Sequence, residues 1–355
     1  MNHSDAQSES RFLKVDPTWL ARHDEHVLLP DLPIVDAHHH LLDRPHWRYL
    51  FDDLLADTRS GHNIVATVFV QCLAMHRATG PQYLRPVGET EFANGVAAMS
   101  ASGGYGAMRA CAGIVAHADL RLDEHQLRAL LEAHLGAGGG RLRGIRQIVA
   151  WGSEDIFNNP EAGTTAQMLG DERFRRGFGL LAAYGLSFDA WLYHPQITEL
   201  ESLARAFPDT MIVLDHLGGP LGIGTFADKR DAVFVQWSGA IKRLACCPNV
   251  FVKLGGLGMR VNGFNFHHRA MPPSSEELAQ AWRPYVETCI QAFGVQRCMF
   301  ESNFPVDKGS FSHKVCWNAF KRLASGTSQQ ERARLFSGTA SQIYRLDVTA
   351  TSAGA

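Results

Sequence analysis

The chain has no CxxC pair, no basic run and no uninterrupted apolar stretch near the ~18 residues that span a bilayer. The first absence removes zinc-ribbon and thioredoxin-type chemistry. The seven cysteines (Cys72, Cys111, Cys246, Cys247, Cys289, Cys298 and Cys316) are an odd number scattered along 355 residues. They read as reduced, mostly buried thiols of a cytoplasmic protein. A net charge of −2 and a pI near 6.8 leave no electrostatic footprint for nucleic acid or an anionic membrane. Met1 to Arg11 is polar and lacks the apolar core of a secretory signal. No GxGxxG or GxxxxGK[ST] opens a helix after the first strand-like run, which argues against nucleotide binding.

What is present is alternation. After a polar arm, residues 1–32, apolar strand-like runs fall at 34–38, 64–71, 108–116, 142–149, 186–193, 211–215, 249–254 and 297–302. Amphipathic stretches separate them, such as 123–135, 174–184, 197–207, 234–246, 276–293 and 316–323. Gly-rich or Pro-containing loops punctuate the series, notably 136–140, 218–224 and Pro272-Pro273. Eight strand-then-helix units over about 300 residues predict an α/β fold, a closed (β/α)8 barrel spanning 33–345. A doubly wound open sheet is the competitor. Residues 346–355 are small and polar and are expected to form a disordered tail.

Barrel enzymes carry their chemistry at the C-terminal ends of the strands. The first strand runs Ile-Val-Asp-Ala-His-His-His-Leu-Leu (34–42) into three histidines. Alternate strand side chains share a face, so His38 and His40 point one way and His39 the other. Two imidazoles so placed suit one divalent metal, while a bare HxH is as often a satisfied polar strand end. Later strand ends bring Arg146, His194, Asp215-His216, Lys253 and Glu301-Ser302-Asn303. A lone histidine at one strand end is ordinary; polar anchors at the same end of five strands are much harder to dismiss.

These segments resemble one family, the amidohydrolase-related TIM-barrel metal-dependent hydrolases. The resemblance is carried by Val-Asp-Ala-His-His-His-Leu (35–41), Arg-Gly-Ile-Arg (143–146) and Leu-Ser-Phe-Asp (186–189). It continues through Leu-Asp-His-Leu-Gly-Gly-Pro (214–220), Val-Phe-Val-Lys-Leu-Gly-Gly-Leu (250–257) and Phe-Glu-Ser-Asn-Phe-Pro-Val-Asp (300–307), in the family's order. Similar members include sugar-lactone hydrolases and 2-pyrone-4,6-dicarboxylate lactonase; aromatic-acid decarboxylases are more distant. The resemblance implies metal ligands at His38, His40, His194 and His216, and a divalent ion such as zinc or manganese. Some similar lactonases need no metal, so metal independence stays open.

The chain departs from the family pattern at the eighth strand, where Asn303 stands in place of an aspartate. An aspartate there would ligate metal and take a proton from water; an amide has no useful basicity. Three readings follow: a carboxylate relocated to Glu301 or Asp307, a histidine base at His216 or His194, or altered chemistry. Arg146 and Arg143 are candidates for binding an anionic substrate, with bracing of the 136–140 turn as the alternative. Lys253 is a candidate substrate contact, or a buried ion-pair partner of Asp36, Asp189, Asp215 or Glu301. Trp47 is a candidate pocket wall, and the long loop 258–273, with His267-His268, a candidate lid.

The leading functional expectation is hydrolysis of a cyclic ester or cyclic amide of a small organic acid, with a small-molecule partner and no nucleic acid or membrane. A homo-oligomer is compatible with the sequence. The alternatives are metal-assisted decarboxylation of an aromatic or unsaturated acid, and a non-catalytic ligand-binding barrel.

Overall fold

The computed structural model describes residues 12–45, 47–153, 156–157 and 162–347. The expected tail lies outside the described residues from 348 onward, as does most of the first third of the arm. A short helix, α1 (Pro17–Leu20), is capped by Asp16, whose carboxylate accepts from the amides of Thr18 and Trp19.

Eight parallel strands form one sheet: β1 (Ile34–His39), β4 (Ile64–Val70), β5 (Arg109–His117), β6 (Leu142–Arg146), β7 (Ser187–Ala190), β8 (Ile212–Leu214), β9 (Val250–Leu254) and β10 (Cys298–Phe300). Each falls on one of the eight apolar runs, in the order β1-β4-β5-β6-β7-β8-β9-β10. A small hairpin, β2 (Leu42–Arg44) against β3 (Trp47–Tyr49), is inserted after the first strand. The helices between strands are α2 (Phe51–Thr58), α3 (Val87–Ala101), α4 (Glu124–Ala137), α5 (Glu172–Phe178), α6 (Ile197–Ala206), α7 (Arg230–Leu244), α8 (Ser275–Phe293) and α9 (His313–Leu323).

The sheet is drawn shut where β10 meets β1. His39 bridges Phe304, the Asn303 amide donates to the His38 carbonyl at 2.9 Å, and the His40 amide donates to the Phe304 carbonyl at 2.8 Å. Asp36, a fully buried carboxylate in an apolar strand, ties the same seam. It accepts from the Ser302 amide at 2.9 Å and the Ser302 hydroxyl at 2.6 Å. Burial would raise its pKa, but these bonds and His313 outweigh that and hold it low. A buried charge survives here because its lone pairs are filled.

Both faces of the sheet are buried, as a parallel sheet requires. The outer face packs on the helices through residues such as Ile34, Phe69, Ile114, Phe188, Trp237 and Trp317. The inner face is lined by Val35, Ala66, Val68, Val115, Val213, Phe251 and Met299. It is plugged by Tyr344, just after the last of two short C-terminal helices, α10 (Gln329–Ala333) and α11 (Thr339–Ile343). Among the described residues no helix is long and apolar enough to cross a membrane.

Above the plug sits a fully buried ion cluster. Lys253 Nζ lies 2.7 Å from Asp189 Oδ2 and 3.0 Å from Asp215 Oδ1, and the Tyr344 hydroxyl donates to Asp189 at 2.6 Å. Burial would lower the Lys253 pKa, but Asp189, Asp215 and Glu301 hold it above its ordinary value, so it stays an ammonium. Lys253→Met would strand two carboxylates in the interior. It is expected to cost about 3–5 kcal/mol of stability in urea unfolding; a loss below about 1 kcal/mol would show that the cluster is not a buried ion-pair network.

Candidate active site

The site begins with a ring held on glycine. His216 follows β8 in a left-handed conformation (φ 55°), as does Leu217 (φ 54°). Such residues cost about 1–3 kcal/mol each and persist only when their surroundings fix them. The His216 amide donates to Glu301 Oε1 at 3.1 Å, and the ring packs on the backbone of Gly256, where a Cβ would lie 2.4 Å from Nδ1. At Gly255 a Cβ would come within 2.3 Å of the Glu301 carbonyl. The Gly-Gly after β9 is thus demanded by close approach of the neighbouring strand ends.

Glu301, wholly buried, serves two histidines. Oε1 lies 2.6 Å from His216 Nδ1 and Oε2 lies 3.0 Å from His38 Nδ1. Burial would raise this carboxyl, but His216 and His38 more than offset it and hold it at about 2. It is therefore an ionised acceptor at neutral pH. A group held so low is a poor base, and Glu301 does not line the pocket.

His38 and His40 turn to the same side, with Nε2 atoms 3.2 Å apart and the His38 and His216 ring centroids 4.6 Å apart. His39 points elsewhere, its Nε2 2.8 Å from the Thr67 hydroxyl. His40 Nδ1 donates to the Val70 carbonyl at 2.7 Å, which fixes its tautomer and leaves Nε2 as a lone-pair donor. Two tetrahedral zinc ligands with bonds of about 2.0–2.1 Å stand about 3.3 Å apart, so this spacing fits a shared divalent ion. His38, Asp215 and His216 also offer ligand atoms within 4.8 Å of one another. Arg146 Nη1 stands 3.3 Å from His38 Nε2 and 3.4 Å from Asp215 Oδ2, so an ion here competes with a guanidinium. Burial, and the charges of Lys253 and Arg146 beside them, push both His38 and His40 toward the neutral form a metal needs.

Asn303 (φ 56°) faces the pocket with its amide oriented from behind. Its Nδ2 donates to Asp307 Oδ1 at 2.8 Å, while Oδ1 has no hydrogen-bond partner among the described residues. Asp307 also accepts from the Gly258 amide at 2.8 Å; burial pushes its carboxyl up to about 7 against these bonds.

Five of the expected site residues, His40, Trp47, Arg146, His216 and Asn303, meet in one pocket with about 820 Å³ of atom-free space, part of it open solvent. Trp47 forms a wall, its ring centroid 4.4 Å from that of Phe12 and tilted 40° to it. Three expectations are not met. His194 sits on the turn after β7, accepting from the Leu221 amide at 3.3 Å with its ring on Phe226, outside the cluster. Arg143 lies at the opposite end of β6 from Arg146, donating to the Gly140 carbonyl at 2.6 Å, the bracing role. Lys253 is fully buried and does not line this pocket; it takes the ion-pair alternative read from the sequence, with Asp189 and Asp215. The 258–273 loop sends Met259 and Val261 into the pocket, while the His267 and His268 rings lie tilted against each other at 4.0 Å. Trp191 and Tyr193, which also line the pocket, carry no such expectation, although they close the predicted strand 186–193.

Comparison with known proteins agrees with this architecture. An amidohydrolase family model matches residues 35–346. The protein y4mH of Sinorhizobium fredii is 35% identical over 347 residues, covering 90% of this chain and 100% of that one. L-Fucono-1,5-lactonase of Burkholderia multivorans is 29% identical over 209 residues, 59% of this chain and 64% of that one. An amidohydrolase of Burkholderia multivorans solved with bound zinc matches with a TM-score of 0.67 at 23% identity, over 88% of this chain and 99% of that one.

Proposed function

This chain belongs to the amidohydrolase family, and from that premise we propose that it hydrolyses a cyclic ester, a lactone of a small organic acid, with His216 as the general base. The observation that carries the reading is the 2.6 Å contact between His216 Nδ1 and an ionised, buried Glu301, behind a ring that lines the pocket. A carboxylate accepting from Nδ1–H leaves the Nε2 lone pair facing the substrate space.

The steps follow from that placement. Water held between His216 Nε2 and Asn303 Oδ1 loses a proton to Nε2 as its oxygen attacks the lactone carbonyl carbon. The guanidinium of Arg146 at the pocket floor stabilises the oxyanion by its charge. Collapse breaks the ring C–O bond, and the imidazolium returns the proton to the leaving alkoxide, giving an open hydroxy acid. A divalent ion, zinc or manganese, would be held by the His38 and His40 pair and when bound would polarise the carbonyl as a Lewis acid. The expected anionic substrate draws less support: Arg146 Nη1 and Nη2 already face His38, Asp215 and the Gln71 carbonyl.

The test follows acid release from a lactone panel and carbon dioxide release from an aromatic-acid panel, separately. Acid release from at least one lactone with no carbon dioxide is expected. Carbon dioxide alone would move the protein to the decarboxylases, and silence in both assays would make it a binding barrel.

A further inference from the structure

We propose that the pocket takes an uncharged lactone carrying an apolar substituent, aromatic or alkyl, and selects against polyhydroxylated sugar lactones. This rests on the lactone-hydrolase reading and adds the substrate class to it. The polar groups are confined to the floor, where His40, His216, Asn303 and Arg146 meet. The walls are Phe12, Trp47, Phe157, Trp191, Met259 and Val261, carbon surface apart from the indole edges. Aromatic rings contact one another along the lining: Phe12 lies against Trp47 at 4.4 Å, and Trp191 stands edge-on to the His216 ring at 4.8 Å.

The remaining polar tips on the walls are committed to the protein. The Tyr193 hydroxyl donates to the Phe157 carbonyl, and Arg44 donates to the carbonyls of Cys72 (2.5 Å) and Leu73 (3.3 Å). Arg146 faces Asp215 across 3.4 Å, so its charge is partly offset before any ligand binds. A sugar ring would lay hydroxyls on carbon, losing their water without replacement, and a carboxylate at the floor would meet a guanidinium already paired with Asp215. Rejecting one hydroxyl from an apolar pocket is worth about a hundredfold, and each buried methylene about fourfold in the other direction.

The experiment compares kcat/KM of the full chain for phenyl- and hexyl-substituted δ-valerolactones and a sugar 1,5-lactone. In parallel, the matching lactams, which resist hydrolysis, are titrated by quenching of tryptophan fluorescence. The apolar lactones are expected to lead the sugar lactone by at least about a hundredfold. Trp47→Ala should cut that ratio about tenfold by unstacking the wall. Met259→Gln, which puts an amide on the same wall, should shift it the same way should Trp47→Ala fail to fold. A sugar or carboxylated lactone turned over as fast as the apolar ones overturns the proposal. No turnover of any lactone, with apolar lactams still bound preferentially, overturns the hydrolase reading and leaves the pocket preference standing. No turnover and no lactam preference overturns both.

Discussion

Glu301→Gln is expected to lower kcat by about three to four orders of magnitude while the protein stays folded. That is the scale on which neutralising the carboxylate behind a catalytic imidazole acts. Glutamine keeps the size and the position 2.6 Å from His216 Nδ1, but its amide can donate to Nδ1 and so favour the tautomer with Nε2 protonated. The lone pair that should receive the water's proton is then occupied, and no anion remains to stabilise the imidazolium. KM should move little, because Glu301 does not line the pocket. The acidic limb of the pH profile should shift to lower pH, since the imidazolium loses its counter-charge. His216→Asn should be at least as damaging, and the double variant little worse than either single, because the two residues act as one unit. A kcat within about tenfold of the parent in Glu301→Gln would remove His216 from the base role. Stability gives a separate handle on the same carboxyl. Held at about 2, below its unfolded value of 4.5, it contributes stability that is full above pH 4.5 and lost as pH falls through that window toward 2.

The barrel was legible because its signals are local. Eight runs of apolar residues bounded by glycine or proline can be buried on two faces only in a helix-covered parallel sheet, and each run became a strand. His38 and His40 were legible through the two-residue strand period, which also sent His39 away. What was not legible depends on where a strand stops. The fifth run looked strand-like to residue 193, but β7 ends at Ala190. The chain then leaves the sheet, turning Trp191 and Tyr193 into the pocket and carrying His194 past it. Glu301 and Asn303, two residues apart, would share a face on a regular strand; β10 ends at Phe300 and Asn303 turns left-handed. The glutamate therefore stays behind the histidines while the asparagine reaches the substrate space. Arg143 and Arg146 sit on one short strand at opposite ends of the barrel. Periodicity counts residues along a strand and carries no information about such depth.

Asn303→Asp is the substitution for which the structure changes the expected outcome most. By itself a carboxylate at this position would add a charged oxygen ligand beside His40 and His216 and tighten a divalent ion. Here, however, the new carboxylate would lie 2.8 Å from Asp307 Oδ1, in the place of the amide that now donates to it. Two buried carboxyls that close share a proton at neutral pH, and Asp307 already stands at about 7 through burial. The single variant is therefore expected to gain little metal. The exchange Asn303→Asp with Asp307→Asn removes the repulsion and restores a donor behind the new carboxylate, and should tighten zinc or manganese about 10- to 100-fold. Elemental analysis and chelator competition on the purified full chain measure this without reference to turnover. In the same assay His38→Ala and His40→Ala should each abolish most of the bound ion, whereas His39→Ala, whose ring lies on Thr67, should keep it. Equal loss from all three histidine variants would place the ion elsewhere. Equal gains from the single and double exchanges would show that Asp307 is protonated in the parent and already free to donate.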